Sequence, residues 1–225
     1  MRIHVAFTPD EAASAPTGIV VDVVRATSTI AQALAAGYAR VLCVPEIEQA
    51  RALRAELPDS VVGGERDAIR IDGFDMGASP REYLEPRAET LILSTTNGTR
   101  TIVTAAERCD EVLVGSLLNL NAVVRAAAER GEDVAIICAG YKGGFALDDA
   151  YCAGRFVQLL GGERTDAAVA ADVLAAAYPD PLTGLNARTY GPLGLEEDIA
   201  FCARESVLDA VPRFAGMRGA AAEMV

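Results

Sequence analysis

The chain has 225 residues and is 51% hydrophobic, enough apolar side chain for a sizeable core, which excludes a disordered protein. Its 32 acidic and 20 basic residues leave a net charge of −12, which argues against nucleic acid or an anionic membrane as a partner. No apolar run approaches a membrane span, the start MRIHVAFTPD does not read as a signal peptide, and the five scattered cysteines suit a reducing cytoplasm.

Short β-branched runs alternate with helical patterns along the chain. That predicts an α/β protein of three layers (α/β/α), with a mostly parallel sheet, in one domain over 1–225. The first strand, 3–6, alternates like an edge strand and carries His4, the only histidine. Unless His4 reaches the site, Ser-His-Asp and Cys-His catalysis and His-rich zinc sites are excluded. Acid/base work then falls to carboxylates, a metal-bound water, Tyr, Cys or Lys142, the only lysine.

The second strand, 18–23, runs into Asp22, Arg25, Thr27 and Ser28 before a helix over 27–36. A carboxylate at a strand end can hold Mg²⁺ or act as a nucleophile, and hydroxyls at a helix start suit a phosphate. Alternatively, Thr27 or Ser28 simply caps the helix. Aspartyl-phosphate phosphatases also place Asp after a strand, but they want a second Asp where Val24 stands.

A strand over 40–44 and a helix over 46–57 lead to a strand at 60–63 and then to GGERDAIRIDGFDMGASP, residues 63–80. This stretch holds Glu65, Asp67, Asp72 and Asp75 beside Arg66, Arg70 and four glycines. Carboxylates bind hard cations, arginine forks match phosphate or sulfonate oxygens, and glycine admits a ligand close to backbone. The strand 90–94 ends in STTNGTR and opens a helix over 98–108, so Thr96, Asn97, Gly98 and Thr99 gather at a positive helix end as an oxyanion cradle. GSLLNLN after the strand 111–115 repeats the idea more weakly through Ser116 and Asn119, ahead of a helix over 120–130.

The strand 133–138 ends in CAGYKGG, followed by a helix over 146–160 that starts with Asp148 and Asp149. Adjacent acids point in different directions on a helix. Asp149 is the preferred site residue. Cys138 reads as a buried apolar thiol, with no histidine to activate it. A helix over 166–178 follows. The segment after Tyr178 is rich in Pro and Gly with short helical patterns and lacks a confident strand, so it is expected to form a helical C-terminal cap.

These segments, in this order, resemble the 2-phosphosulfolactate phosphatase (ComB-like) family. VVDVVRATSTI, GGER, GFDMGASP, TTNGTR, GSLLN, CAG and FALDDAYCAG carry the resemblance, which runs from about residue 18 to about residue 205. ALDD stands where the family motif resembles SLED, and Ala78 where members often place Asn. The resemblance implies Mg²⁺-dependent hydrolysis of 2-phosphosulfolactate to sulfolactate and phosphate, a reaction of coenzyme M biosynthesis. Asp22, Glu65 and Asp149 would be metal ligands or base. Arg25 and Arg66 would clamp anionic groups, and Thr27, Ser28, Asp75, Thr96, Asn97, Gly98, Thr99 and Asn119 would contact substrate. The expected partner is a small anionic phosphate ester, with homo-oligomer formation left open. A non-catalytic anion-binding protein on the same scaffold is the alternative. A Rossmann dehydrogenase is disfavoured by the absence of G-x-G-x-x-G.

Overall fold

The computed structural model describes residues 1–11, 13–189 and 194–225. In chain order the first half contains β1 (Arg2–Ala6), β2 (Thr17–Val21), α1 (Ala26–Ala36), β3 (Arg40–Cys43), α2 (Ile47–Glu56), β4 (Val61–Arg66) and β5 (Ile69–Arg70). The middle contains β6 (Thr90–Ser94), α3 (Gly98–Ala106), β7 (Glu111–Gly115), α4 (Leu120–Arg130), β8 (Val134–Cys138) and α5 (Leu147–Leu160). The rest contains β9 (Glu163–Arg164), α6 (Asp166–Ala177), α7 (Pro181–Asn186), α8 (Glu196–Cys202), β10 (Phe214–Arg218) and β11 (Ala221–Met224).

The strands form two sheets. The first is parallel throughout, in the order β7-β2-β8-β1-β9. The second has the order β10-β11-β3-β6-β4-β5, with parallel pairing among β3, β6 and β4 and antiparallel hairpins at both edges.

The continuous apolar runs of the strands follow from burial on both faces. In the first sheet, Ile19, Leu113 and Ile136 pack under α4, α5 and α6, while Val20, Val114 and Ile137 pack on α1 and α3. The expected three-layer unit is therefore present around this sheet. The second sheet then closes over α1 and α3 from the far side, through Val41, Cys43, Leu91 and Leu93. Its outer face carries Leu42, Ile92 and Val62, covered by Ala50 of α2 and by Ile71 and Phe74. No helix is long and apolar enough among the described residues to cross a membrane.

Two expectations need correction. β1 is not an edge strand, because the short β9 pairs outside it. His4 meets Thr165 there, with Nδ1 3.1 Å from its Oγ1, and does not line the cleft described below. The C-terminal segment is helical through α7 and α8 but then forms the β10–β11 hairpin, whose β11 extends the second sheet beside β3. The signal was weak because FAGMRGAAAEM is built of small residues without a clear alternation.

This arrangement brings the carboxyl ends of β2 and β8, from one sheet, to the same mouth as those of β4 and β6 from the other. Ligand sites in open α/β sheets lie outside such strand ends.

Candidate active site

β2 delivers Asp22 into a loop that contains a cis Val24–Arg25 peptide bond. The loop is braced from within. Thr27 Oγ1 donates to the Asp22 carbonyl (2.9 Å), and Ser28 Oγ donates to the Val23 carbonyl (2.7 Å). Thr27 and Ser28 are fully buried and do not line the cleft, so their hydroxyls serve the fold rather than a ligand. Among the described residues the Asp22 carboxylate itself accepts only one long bond, from the Ala26 N–H at 3.3 Å. It is 9% exposed. Burial, aided by the nearby negative charges of Glu65 and Asp148, pushes its pKa up to about 7. Gly98, the first residue of α3, backs onto this carboxylate; a Cβ there would stand 2.6 Å from Asp22 Oδ2. Glycine is thus required for the positive end of α3 to approach the acid.

β4 delivers Glu65, and its environment is the opposite. Glu65 Oε1 accepts from the Thr96 N–H (2.8 Å) and Thr96 Oγ1 (2.9 Å), and Oε2 accepts from the Ala68 N–H (2.7 Å). Asp67 and Ala68 form the two-residue turn between β4 and β5, at φ 51° and 63°. Both central residues of a type I′ turn need positive φ, which alanine seldom adopts. The Glu65 and Arg25 bonds to Ala68 hold it there.

The cleft is lined by Asp22, Arg25, Glu65, Asp67, Ala68, Ala78, Thr95, Thr96, Asn97, Tyr141, Lys142, Arg188 and Leu195, among others. Three carboxylates (Asp22, Glu65, Asp67) face three cations (Arg25, Lys142, Arg188). In a chain of net charge −12 this local balance favours an anionic ligand far more than the average surface does. The cations differ in commitment. Arg25 Nη1 pairs with Asp198 (2.7 Å) and Nη2 donates to the Ala68 carbonyl (3.1 Å). Lys142 Nζ lies 2.8 Å from Asp67 in an exposed pair, a weak tie. Arg188 has no hydrogen-bond or ion-pair partner within the described residues. The Asn97 amide also makes no such bond.

Of the expected site residues, Asp22, Arg25, Glu65, Thr96 and Asn97 share this cleft, and Gly98 supports it from behind. Others do not reach it. Asp149 sits behind Val23, where its carboxylate accepts from the Val23 (2.9 Å) and Gly140 (3.0 Å) N–H groups and ties two loops together. Burial and the neighbouring Asp148 and Asp22 hold its pKa well above the usual carboxylate range. Arg66 turns away from the cleft, donating to the carbonyls of Glu65 and Pro45 and to Ser94 Oγ. Asp75 accepts from the Val62 N–H (2.9 Å) on the far side of β4. Thr99 bonds back to Thr95, and Asn119 bonds Ser116, Val114 and Ala210. Asp67 and Lys142 were visible as charges in glycine-rich loops. Arg188 and Asp198 carried no motif signal.

Among the described residues, no three Asp, Glu, His or Cys side chains are grouped to hold a metal ion. Asp22, Glu65 and Asp149 are therefore not assembled as a joint ligand set. Mg²⁺, however, commonly binds through one or two carboxylates plus substrate phosphate. Asp22 and Glu65, two of the three acids on the cleft wall, fit that pattern, and a cation there would offset the like charges that add to burial in raising the Asp22 pKa.

The model of the family described as 2-phosphosulpholactate phosphatase matches residues 4–216. The chain is similar to a Thermus thermophilus protein named "Probable 2-phosphosulfolactate phosphatase", at 40% identity over 233 residues and 98% of each chain. Proteins of the same name are 38% identical in Symbiobacterium thermophilum, over 92% of this chain and 94% of the relative, and 36% identical in Carboxydothermus hydrogenoformans, over 94% and 92%.

Proposed function

The chain belongs to the 2-phosphosulpholactate phosphatase family, a family of phosphoric monoester hydrolases, and we propose that its cleft hydrolyses 2-phosphosulfolactate to 3-sulfolactate and phosphate with Mg²⁺. The observation that carries this reading is the wall on which a poorly satisfied buried carboxylate, Asp22, meets a helix N-terminus and three cations.

The substrate carries phosphate, carboxylate and sulfonate, and so needs several cationic contacts. Arg25 takes one anionic group through the N–H donors that Asp198 and Ala68 leave over, since guanidinium has five. Arg188 meets a second. Lys142 exchanges its exposed partner Asp67 for substrate oxygen at little cost. The Asn97 amide and the α3 N-terminus add neutral donors. Asp22 and Glu65 would hold Mg²⁺, which when bound supplies charge neutralisation at the phosphoryl oxygens. Water adds to phosphorus opposite the ester oxygen, the P–O ester bond breaks, and the alcohol leaves with a proton. Asp149 takes no direct part; it fixes the Asp22 loop against the loop after β8.

Phosphate release from 2-phosphosulfolactate, followed with Mg²⁺ and with EDTA, tests the reading. Metal-dependent turnover is expected. Binding without turnover would assign the cleft to a non-catalytic anion carrier instead.

A further inference from the structure

The C-terminal segment enters the cleft through an ion pair that the proposed chemistry does not itself require. Asp198, on α8, places Oδ2 2.7 Å from Arg25 Nη1, and the two side chains are only 8% and 9% exposed. Its other oxygen, Oδ1, accepts from Ser79 Oγ at 2.5 Å and lies 3.7 Å from Arg81 Nη1. Arg25 and Asp198 are 173 residues apart in sequence. Three separate segments (the loop after β2, the GASP loop and α8) thus meet on the Asp198 carboxylate.

Such a pair is a poor source of stability. Burying two charges costs desolvation that their attraction only partly returns, and apolar replacements of buried pairs are often neutral or better. A fixed geometry is the more natural gain. Arg25 lines the same cleft as Asp22, Glu65 and Asp67. Without an anchor on its outer side, a long cation beside the carboxylates of the cleft would fold onto them and leave the substrate side. Asp198 and the Ala68 carbonyl hold two of its donors on that outer side. Ser79 in turn fixes the Asp198 rotamer.

We propose that Asp198 is a positioning residue, which holds the Arg25 guanidinium open toward an anionic ligand in the cleft and so makes α8 part of the active site. This rests on the reading of the cleft as an anion site.

The test is a double-mutant cycle read in kcat/KM on 2-phosphosulfolactate and, separately, in the Kd for inorganic phosphate. Asp198→Asn keeps the shape and removes the charge. Its kcat/KM is expected to fall about 10–100-fold, the worth of a charge-assisted hydrogen bond. In an Arg25→Gln background the same change is expected to act less than about twofold, because the group it positions is gone. Asp198→Glu should recover part of the loss. Ser79→Ala, which leaves no unpaired buried charge, should give the same pattern more mildly and with folding intact. A purely structural Asp198 would lower Tm with kcat/KM unchanged, or would cost the same factor in both backgrounds; either result overturns the proposal. Phosphate binding reads the same cycle without turnover. Wild-type protein that binds phosphate in an Arg25-dependent way but leaves 2-phosphosulfolactate intact would contradict the substrate and leave this test standing. Wild-type affinity for phosphate no better than that of Arg25→Gln would overturn the proposal itself.

Discussion

The ends of β2 and β4 carry the same two residue types, a carboxylate and an arginine, and use them in opposite ways. At β4 both are satisfied by neighbours: Glu65 accepts three hydrogen bonds, and Arg66 donates to two carbonyls and a hydroxyl. At β2 the acid has one long bond, and the arginine is held by one carboxylate and one carbonyl with donors to spare. Residue type therefore does not mark the chemistry. What would mark it is the polar capacity that the fold leaves unfilled, and by that measure the proposed chemistry centres on the end of β2.

The largest effect should come from removing that capacity. Asp22→Asn is expected to lower kcat/KM by about 10²–10⁴-fold, a range typical of losing an acting carboxylate. It should also stabilise the metal-free protein above neutral pH. The sign follows from the raised pKa. The folded state holds a proton on Asp22 up to about pH 7, whereas an unfolded carboxyl releases it near 3.8. Stability from this group is complete below that lower value and is lost as pH rises through the higher one. Metal-free wild type should therefore melt lower at pH 8 than at pH 5, and Asp22→Asn should reduce the difference, the rest coming from the buried Asp149. Thermal melts across that range check it. A wild type that gains stability from pH 5 to 8 would contradict the burial of this charge.

The two arginines sharpen the contrast next. Arg25→Gln should cut kcat/KM about 10–100-fold, in line with one charge-assisted contact. Arg66→Gln should instead lower stability by about 1–3 kcal/mol, from unsatisfied Pro45, Glu65 and Ser94 oxygens, with kcat/KM of the folded fraction nearly unchanged. Denaturant melts beside steady-state kinetics separate the two, and a reversed pattern would exchange the roles of β2 and β4. Asn119→Ala should behave like Arg66→Gln, at about 1–3 kcal/mol, since its amide serves Ser116, Val114 and Ala210. The smallest effect belongs to Arg188→Gln. It should raise KM several-fold for 2-phosphosulfolactate and hardly at all for a simple phosphate monoester, because only the former has a further anion to lose.

The strand and helix order was readable because two buried faces force continuous apolar runs, as in TGIVV and VAIIC, bounded by charge or glycine. Asp22 was readable for the same reason: a polar residue ending such a run is conspicuous. The fate of Arg66 was not, since its acceptors at Pro45 and Ser94 lie 21 and 28 residues away. Nor were Asp198 and Arg188, which stand in short helical patterns where any acid or arginine reads as a surface residue. The division of strands between two sheets was equally hidden, because a run buried on both faces looks alike in either.

The most direct test of the account is calorimetric and kinetic titration of Mg²⁺ into wild type and Asp22→Asn at pH 8, in the presence of 2-phosphosulfolactate. Wild type is expected to bind Mg²⁺ and release phosphate in step with occupancy, while Asp22→Asn does neither at comparable concentration. Equal metal binding and equal turnover in the two proteins would contradict the assignment of Asp22 as the unfilled centre of the cleft.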